Sequence, residues 1–258
     1  MISVVLATYN EEKNIEQCLS SVKSFADEII VVDGSSKDKT RQIAKDMGAK
    51  VIKTTNKKNF HINKQMAMDE AKGNLVLQLD ADEAVDDDLI EFIKKIEKDL
   101  NSKKALQEVA WWVKRKNLFC GRWLKKGGQY PDPVIRLYIN GKARLPQKDV
   151  HEQMEVDGKI GTADGHLWHY SNPKFSDYLR KFNTYTSFKA QQLLDANLKI
   201  NPITFMKHML LKPVYTFLMI YIRHKGFVDG WQGFIFALFS GLHHPIAYIK
   251  FWELKVTS

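Results

Sequence analysis

Between Ile2 and Leu79 short apolar runs take turns with stretches of helical spacing, and this rhythm restricts the fold more than any other feature of the chain. Ile2 to Leu6, Glu28 to Asp33, Lys50 to Ile52 and Leu75 to Leu79 are too short for ordinary helices and read as strands, the last of them buried. Between them lie Ile15, Leu19 and Val22 at helical spacing, a second helical stretch through Met47 stopped by Gly48, and a third from Asn63 to Ala71 closed by Gly73. Strands alternating with helices predict an α/β domain whose parallel sheet is covered on both faces.

The ends of these runs are polar. The first leads into Thr8-Tyr9-Asn10-Glu11, the second stops at Asp33, and the fourth stops at Asp80-Ala81-Asp82-Glu83. In an open parallel sheet such ends share one edge, where ligands bind. Asp80 and Asp82, two positions apart, can share one hard cation, which points to a metal-diphosphate site. The plainer alternative is an acidic turn before a helix started by Asp86, Asp87 and Asp88, since carboxylates favour helix N-termini. Asp33 likewise either accepts from a base or ribose donor or caps the helix begun at Ser35-Ser36.

Beyond a helix with Ile90, Ile93 and Ile96 at helical spacing the texture changes. Strand patterns at 110–113, 134–138 and 165–169 are punctuated by the hairpin signals Asn140-Gly141 and Asp157-Gly158, so antiparallel pairing is expected to extend the first sheet. Residues 1–200 are taken as one domain and 201–258 as a helical C-terminal region. That region is apolar but interrupted by charges, glycines and Pro213, so neither of its apolar stretches is a clean membrane span. Lys207, Lys212, Arg223, Lys225, Lys250 and Lys255 stand there against Asp229 and Glu253. Aromatic and aliphatic bulk with a basic surplus suits helices lying in an anionic membrane interface, and a helical cap on the domain is the alternative.

The formal net charge of +9 implies an anionic partner: nucleic acid, a membrane surface or a phosphorylated substrate. No compact nucleic-acid recognition motif is present, so nucleic acid is not the expected partner. Two cysteines, Cys18 and Cys120, give neither a disulfide framework nor a zinc spacing, which suits a reducing compartment. The first apolar stretch is too short for a signal peptide and lacks a basic flank, so a cytoplasmic location is expected.

The ordered set Thr8-Tyr9-Asn10-Glu11, Val31-Val32-Asp33-Gly34-Ser35 and Leu79-Asp80-Ala81-Asp82-Glu83 resembles the family 2 glycosyltransferases, whose catalytic domain has the GT-A fold. Gly127-Gly128-Gln129-Tyr130-Pro131-Asp132, with Val150-His151-Glu152, Leu167-Trp168-His169-Tyr170 and Lys225-Gly226-Phe227-Val228-Asp229-Gly230, is similar to a branch that builds the lipopolysaccharide core. The loop after Asp33 and Gln65 depart from the common pattern of the family.

The resemblance implies a GT-A, Rossmann-like mixed sheet flanked by helices, with a C-terminal membrane-associating appendage. It implies nucleotide-sugar binding by Thr8, Tyr9, Glu11, Asp33, Lys64 and Asp80, with Arg136 available for a phosphate or carboxylate. Asp82 and His169 are the implied ligands of Mg²⁺ or Mn²⁺. For an inverting hexosyltransferase the acceptor hydroxyl needs a carboxylate base, for which Glu152 is expected and Asp132 competes. The expected donor is a UDP-sugar and the expected acceptor a glycolipid or saccharide, at the inner face of a bacterial cytoplasmic membrane. The other functions considered are a catalytically silent sugar-nucleotide-binding protein on the membrane and a nucleotidyltransferase.

Overall fold

The computed structural model describes residues 1–57, 59–102, 106–146 and 153–257. The chain divides into two compact units, Met1–Arg115 with Asp132–Tyr170, and Lys116–Pro131 with Ser171–Ser258. The compositional shift near Phe205 that set the expected boundary at 200 therefore falls inside the second unit.

The first unit opens with β1 (Ile2–Thr8), α1 (Ile15–Val22), β2 (Glu28–Asp33), α2 (Thr40–Asp46), β3 (Lys50–Lys53), α3 (Phe60–Asp69) and β4 (Leu75–Leu79). After it come β5 (Glu83–Val85), α4 (Asp87–Asn101), β6 (Glu108–Phe119), the short β7 (Arg122–Trp123), which belongs to the second unit, and β8 (Asp132–Ile139). The pair β9 (Ala143–Arg144) and β10 (Glu155–Val156) forms a small ribbon, and β11 (Lys159–Asn172) closes the series.

The main sheet runs β3-β2-β1-β4-β8-β6-β11-β5. Its first four strands are parallel, joined by helical crossovers as their alternation with helices predicts, and β8 turns the sheet antiparallel against β4. The strand period of two sorts side chains to opposite faces. Val4, Leu6, Val31, Leu75, Leu77 and Leu79 pack in one cluster with Ile15 and Leu19 of α1 and Leu89 and Ile93 of α4. Val5, Ile30, Val32 and Val76 pack in another with Ala67 and Met68 of α3. Both faces of β1, β2 and β4 are thus largely dry, which is why these strands read as unbroken apolar runs, whereas the edge strand β3 is half-exposed.

The second unit holds α5 (Phe175–Asp195), α6 (Pro202–Met206), α7 (Lys212–Leu218) and α8 (Gly230–Thr257). Lys207–Leu211 and Met219–Arg223 are π-helical turns on either side of α7, and Gly226–Asp229 is a 3₁₀ turn. Asn201 and Thr204 form a reciprocal capping box that starts α6. Ala190 of α5 packs with Tyr248 and Phe251 of α8, and Phe119, Tyr178, Phe182, Phe236 and Phe239 form an aromatic cluster. Gly241 lets α7 close on α8, since a Cβ there would stand 2.7 Å from the Pro213 carbonyl oxygen. Among the described residues no helix is long and apolar enough to cross a membrane.

Candidate active site

Parallel register brings the polar strand ends together in the first unit. Thr8 lies opposite Asp33 at the ends of β1 and β2, and Leu6 lies opposite Leu79 one residue before Asp80. The Thr8 hydroxyl donates to Asp33 Oδ2 at 3.1 Å, and its carbonyl accepts the Gly34 N–H at 2.8 Å.

Asp33 is fully buried. It accepts the Ser36 N–H at 2.9 Å and the Ser36 hydroxyl, and Arg41 Nε stands 3.5 Å away. Its carboxylate thus organises the loop into α2, and a base or ribose donor would share its oxygens with these partners. Tyr9 is 39% exposed beside this loop. Glu11 receives the Asn14 side-chain amide at 2.8 Å, and its own N–H donates to the Thr40 hydroxyl at 2.8 Å.

Asp80 is caught between two cations. Lys64 Nζ from α3 pairs with one carboxylate oxygen and Arg136 Nη2 from β8 with the other. Burial by itself would raise the Asp80 carboxyl, but the Arg136 and Lys64 charges override it and hold it well below the usual carboxylate range. Arg136 also donates to Gln78 Oε1 and, at 2.8 Å, to Glu83 Oε1. Its donors on both Nη atoms face inward, so Arg136 acts as a clamp on Asp80 and not as an open phosphate ligand.

Glu83 completes the clamp: it is buried, its Oε2 accepts the Asp80 N–H at 2.9 Å, and Arg115 Nη1 lies 3.4 Å from its Oε1. Arg115 also holds Asp132 Oδ2 at 3.0 and 2.7 Å, directly across β6 and β8, where the two residues are register partners. Glu152, the expected base, lies outside the described residues.

Asp82 lies two residues beyond Asp80, in the turn into β5. β5 pairs antiparallel with β11, placing His169 opposite Glu83, and the Tyr170 N–H donates to the Asp82 carbonyl at 2.8 Å. His169 Nε2 is consequently 3.5 Å from Asp82 Oδ2. At this separation both atoms could reach one divalent ion after a small side-chain adjustment. A carboxylate oxygen and an imidazole nitrogen are suitable donors, but among the described residues no group of three or more His, Cys, Asp or Glu side chains is placed to hold a metal ion. With only these two protein donors, a Mg²⁺ or Mn²⁺ ion would have to take its other ligands from diphosphate and water.

Sequence reasoning passed over Gln78, Arg115 and the role of Glu83. Each carried a signal. Gln78 and Arg136 interrupt apolar runs in strands whose register, Leu77 opposite Leu137, makes them neighbours. Arg115 follows Trp111 and Val113 at period two in β6.

The chain resembles known proteins in sequence and in fold. The family model "Glycosyl transferase family 2" matches residues 3–137. An uncharacterised glycosyltransferase of Rickettsia typhi is 30% identical over all of this chain and 88% of its own length. The lipopolysaccharide core biosynthesis glycosyltransferase LpsC of Rhizobium meliloti is 27% identical over 98% of this chain and 92% of its own. Among solved structures, S. aureus TarS 1–349 in complex with UDP-GlcNAc superposes with a TM-score of 0.50 at 19% identity, covering 92% of this chain and 79% of that one. This last likeness is one of fold, the curled mixed sheet and flanking helices of GT-A. With a family match over half the sequence and a full-length relative at 30% identity, the chain belongs to glycosyl transferase family 2.

Proposed function

We propose that the protein is an inverting, metal-dependent glycosyltransferase that moves a sugar from a nucleotide-sugar donor, a UDP-sugar, to a lipid-linked or lipopolysaccharide-type acceptor. The observation that carries this is the Asp82–His169 pair, 3.5 Å apart beside the clamped Asp80 at the edge where β1, β2 and β4 end. The TarS crystals hold UDP-GlcNAc and the LpsC relative is named for lipopolysaccharide core synthesis, which supports the donor and acceptor classes.

Bound Mg²⁺ or Mn²⁺ would neutralise the departing diphosphate, with Asp82 and His169 as its protein ligands. The imidazole nitrogen favours Mn²⁺, since Mg²⁺ prefers oxygen ligands. Asp80, fixed by Lys64 and Arg136, presents its edge to the ribose and diphosphate. Tyr9 and the Thr8–Asp33 loop flank the base. The acceptor hydroxyl loses its proton to Glu152 or to Asp132, whose carboxylate Arg115 aims. The basic, apolar character of the second unit supports a peripheral position on the cytoplasmic membrane.

The test is release of nucleoside diphosphate from a panel of sugar nucleotides with Mn²⁺ and lipid-linked saccharide acceptors. Asp82→Asn is expected to cut turnover at least a hundredfold, and Glu152→Gln to do so where Asp132→Asn does not, if Glu152 is the base. Full activity of Asp82→Asn would sink the metal assignment. Donor binding with no turnover on any acceptor leaves a sugar-nucleotide-binding protein, and pyrophosphate release from a nucleoside triphosphate makes it a nucleotidyltransferase.

A further inference from the structure

A second polar constellation lies wholly within the second unit and takes no part in the site above. Asp229, at the end of the 3₁₀ turn, is fully buried. Its carboxylate accepts the Lys125 N–H at 3.0 and 3.1 Å and the Lys126 N–H at 2.8 Å, with Arg122 Nε 3.4 Å away. Arg122 Nη2 donates to the Val228 carbonyl at 3.1 Å, and the Gly127 N–H donates to the His224 carbonyl at 2.9 Å. A carboxylate out of water is tolerated only when its lone pairs are filled, and here they are filled by the backbone of one segment reaching the side chain of another.

The result is that residues 122–128 and 223–231 form one knuckle. Gly127 at φ +66° and Gly128 at φ +74° let the first segment fold back on itself. Gly233 lets the second close on α8, since a Cβ there would lie 1.9 Å from the Gly226 carbonyl oxygen. The knuckle turns the side chains of Lys125, Lys126, Arg223 and Lys225 to solvent. Beside them Phe227, Val228 and Trp231 are 51%, 44% and 60% exposed.

Cations alone would suit any soluble phosphate. Three apolar side chains close in sequence, one of them a tryptophan, beside four cations match a partner that offers an apolar phase behind its charges. A lipid surface has that layering: tryptophan settles at the headgroup level, and basic residues meet the anionic phosphates. We propose that this knuckle is the membrane-docking face of the protein, that it takes an anionic phospholipid bilayer, and that Phe227, Val228 and Trp231 enter the boundary between headgroups and acyl chains. The assignment deepens the peripheral-membrane part of the proposed function. It also shifts the contact from the C-terminal helices alone to a turn that includes residues from the middle of the chain.

The experiment is co-sedimentation of the full chain with phosphatidylcholine vesicles, with and without phosphatidylglycerol, across a salt series. Wild type is expected to bind the anionic vesicles, to release as salt rises, and to bind phosphatidylcholine alone weakly. Lys125→Ala with Lys126→Ala should lower the partition coefficient roughly twenty-five-fold, at about fivefold per lysine. Phe227→Ser with Trp231→Ser should lower it at least about tenfold even at low salt. Circular dichroism and UDP affinity, both unchanged in each variant, show that the fold and the first unit are intact. Wild-type partitioning of both variants overturns the proposal, and so does release of the protein by soluble glycerol 3-phosphate at millimolar concentration. Vesicle binding that follows the variants in a protein without transferase activity keeps the docking face and discards the proposed reaction. Turnover with no vesicle binding does the reverse.

Discussion

Arg136 reaches Gln78, Asp80 and Glu83 with one guanidinium, and it is buried while doing so. Removing it strands two carboxylates with too few cations. Arg136→Met is therefore expected to cost about 3–5 kcal/mol of stability in urea unfolding, as truncating one partner of a buried ion pair does. Arg136→Lys should recover only part of that, because an ammonium cannot span three acceptors in a plane. Lys64 is nearer the edge, so Lys64→Ala should cost less stability but weaken UDP-sugar binding at least about tenfold, read by titration calorimetry, as Asp80 loses one of its two holders. Asp80 and Asp82 stand out in the sequence because two carboxylates end an apolar run. Their separate environments did not, because each is set by residues distant in the chain: Lys64 and Arg136 for one, His169 for the other. Asp33 shows the same limit. Its type and place are legible, but its burial under Ser36 and Thr8 is a product of loop conformation.

Strands and helices of the first half were legible because burial on both faces leaves an apolar run with no alternation to misread. β2 and β4 occupy the residues expected of them, Glu28–Asp33 and Leu75–Leu79. Asp86 does cap α4, accepting the Leu89 N–H at 2.9 Å with Asp87 and Asp88 in the first turn, so the acidic-cap alternative is true of the residues just beyond Glu83. β5 escaped notice because Glu83-Ala84-Val85 is three residues long and begins with a charge; only pairing with β11 makes it a strand. That pairing depends on a bend. Gly165 sits in β11 at φ +78°, and a Cβ there would lie 2.3 Å from Leu89 N and 2.5 Å from Asp86 Oδ1. Gly165→Ala should therefore strike the α4 cap and the strand together, costing about 2–4 kcal/mol in thermal or urea unfolding. If the strand shifts, activity should fall more than stability does, since His169 rides on β11.

The whole chain responds to acid through groups in both units. Burial, helped by Lys212, lowers His208 to about 4, and burial likewise lowers His243 and His244. Unfolded histidine titrates near about 6.5, so the unfolded chain takes up these protons first, and the stability they contribute is present above that pH and lost as pH falls toward 4. The urea midpoint of the second unit should thus be flat above neutrality and decline between about pH 6.5 and 4, with a shallower decline in His208→Asn. A further drop in the first unit should follow at lower pH, where Asp80, held below the usual carboxylate range, at last takes a proton. Composition foretold the basic character of the second unit but not its extent, because Lys116–Pro131 join it through hydrogen bonds such as those of Asp229 that no local pattern announces.

One consequence of the β5–β11 pairing concerns time. The family match ends at residue 137, and by then a chain leaving the ribosome has made all four parallel strands, Asp80, Asp82 and the Arg136 clamp. His169 has yet to be synthesised. The nascent protein can therefore begin to shape its nucleotide cradle while lacking the imidazole beside Asp82, and the pair closes only when β11 returns across a long intervening segment. Loop closure over that length adds little entropy cost but delays the contact. The contact that sets His169 3.5 Å from Asp82 thus forms only after the parallel strands and their polar ends have been made.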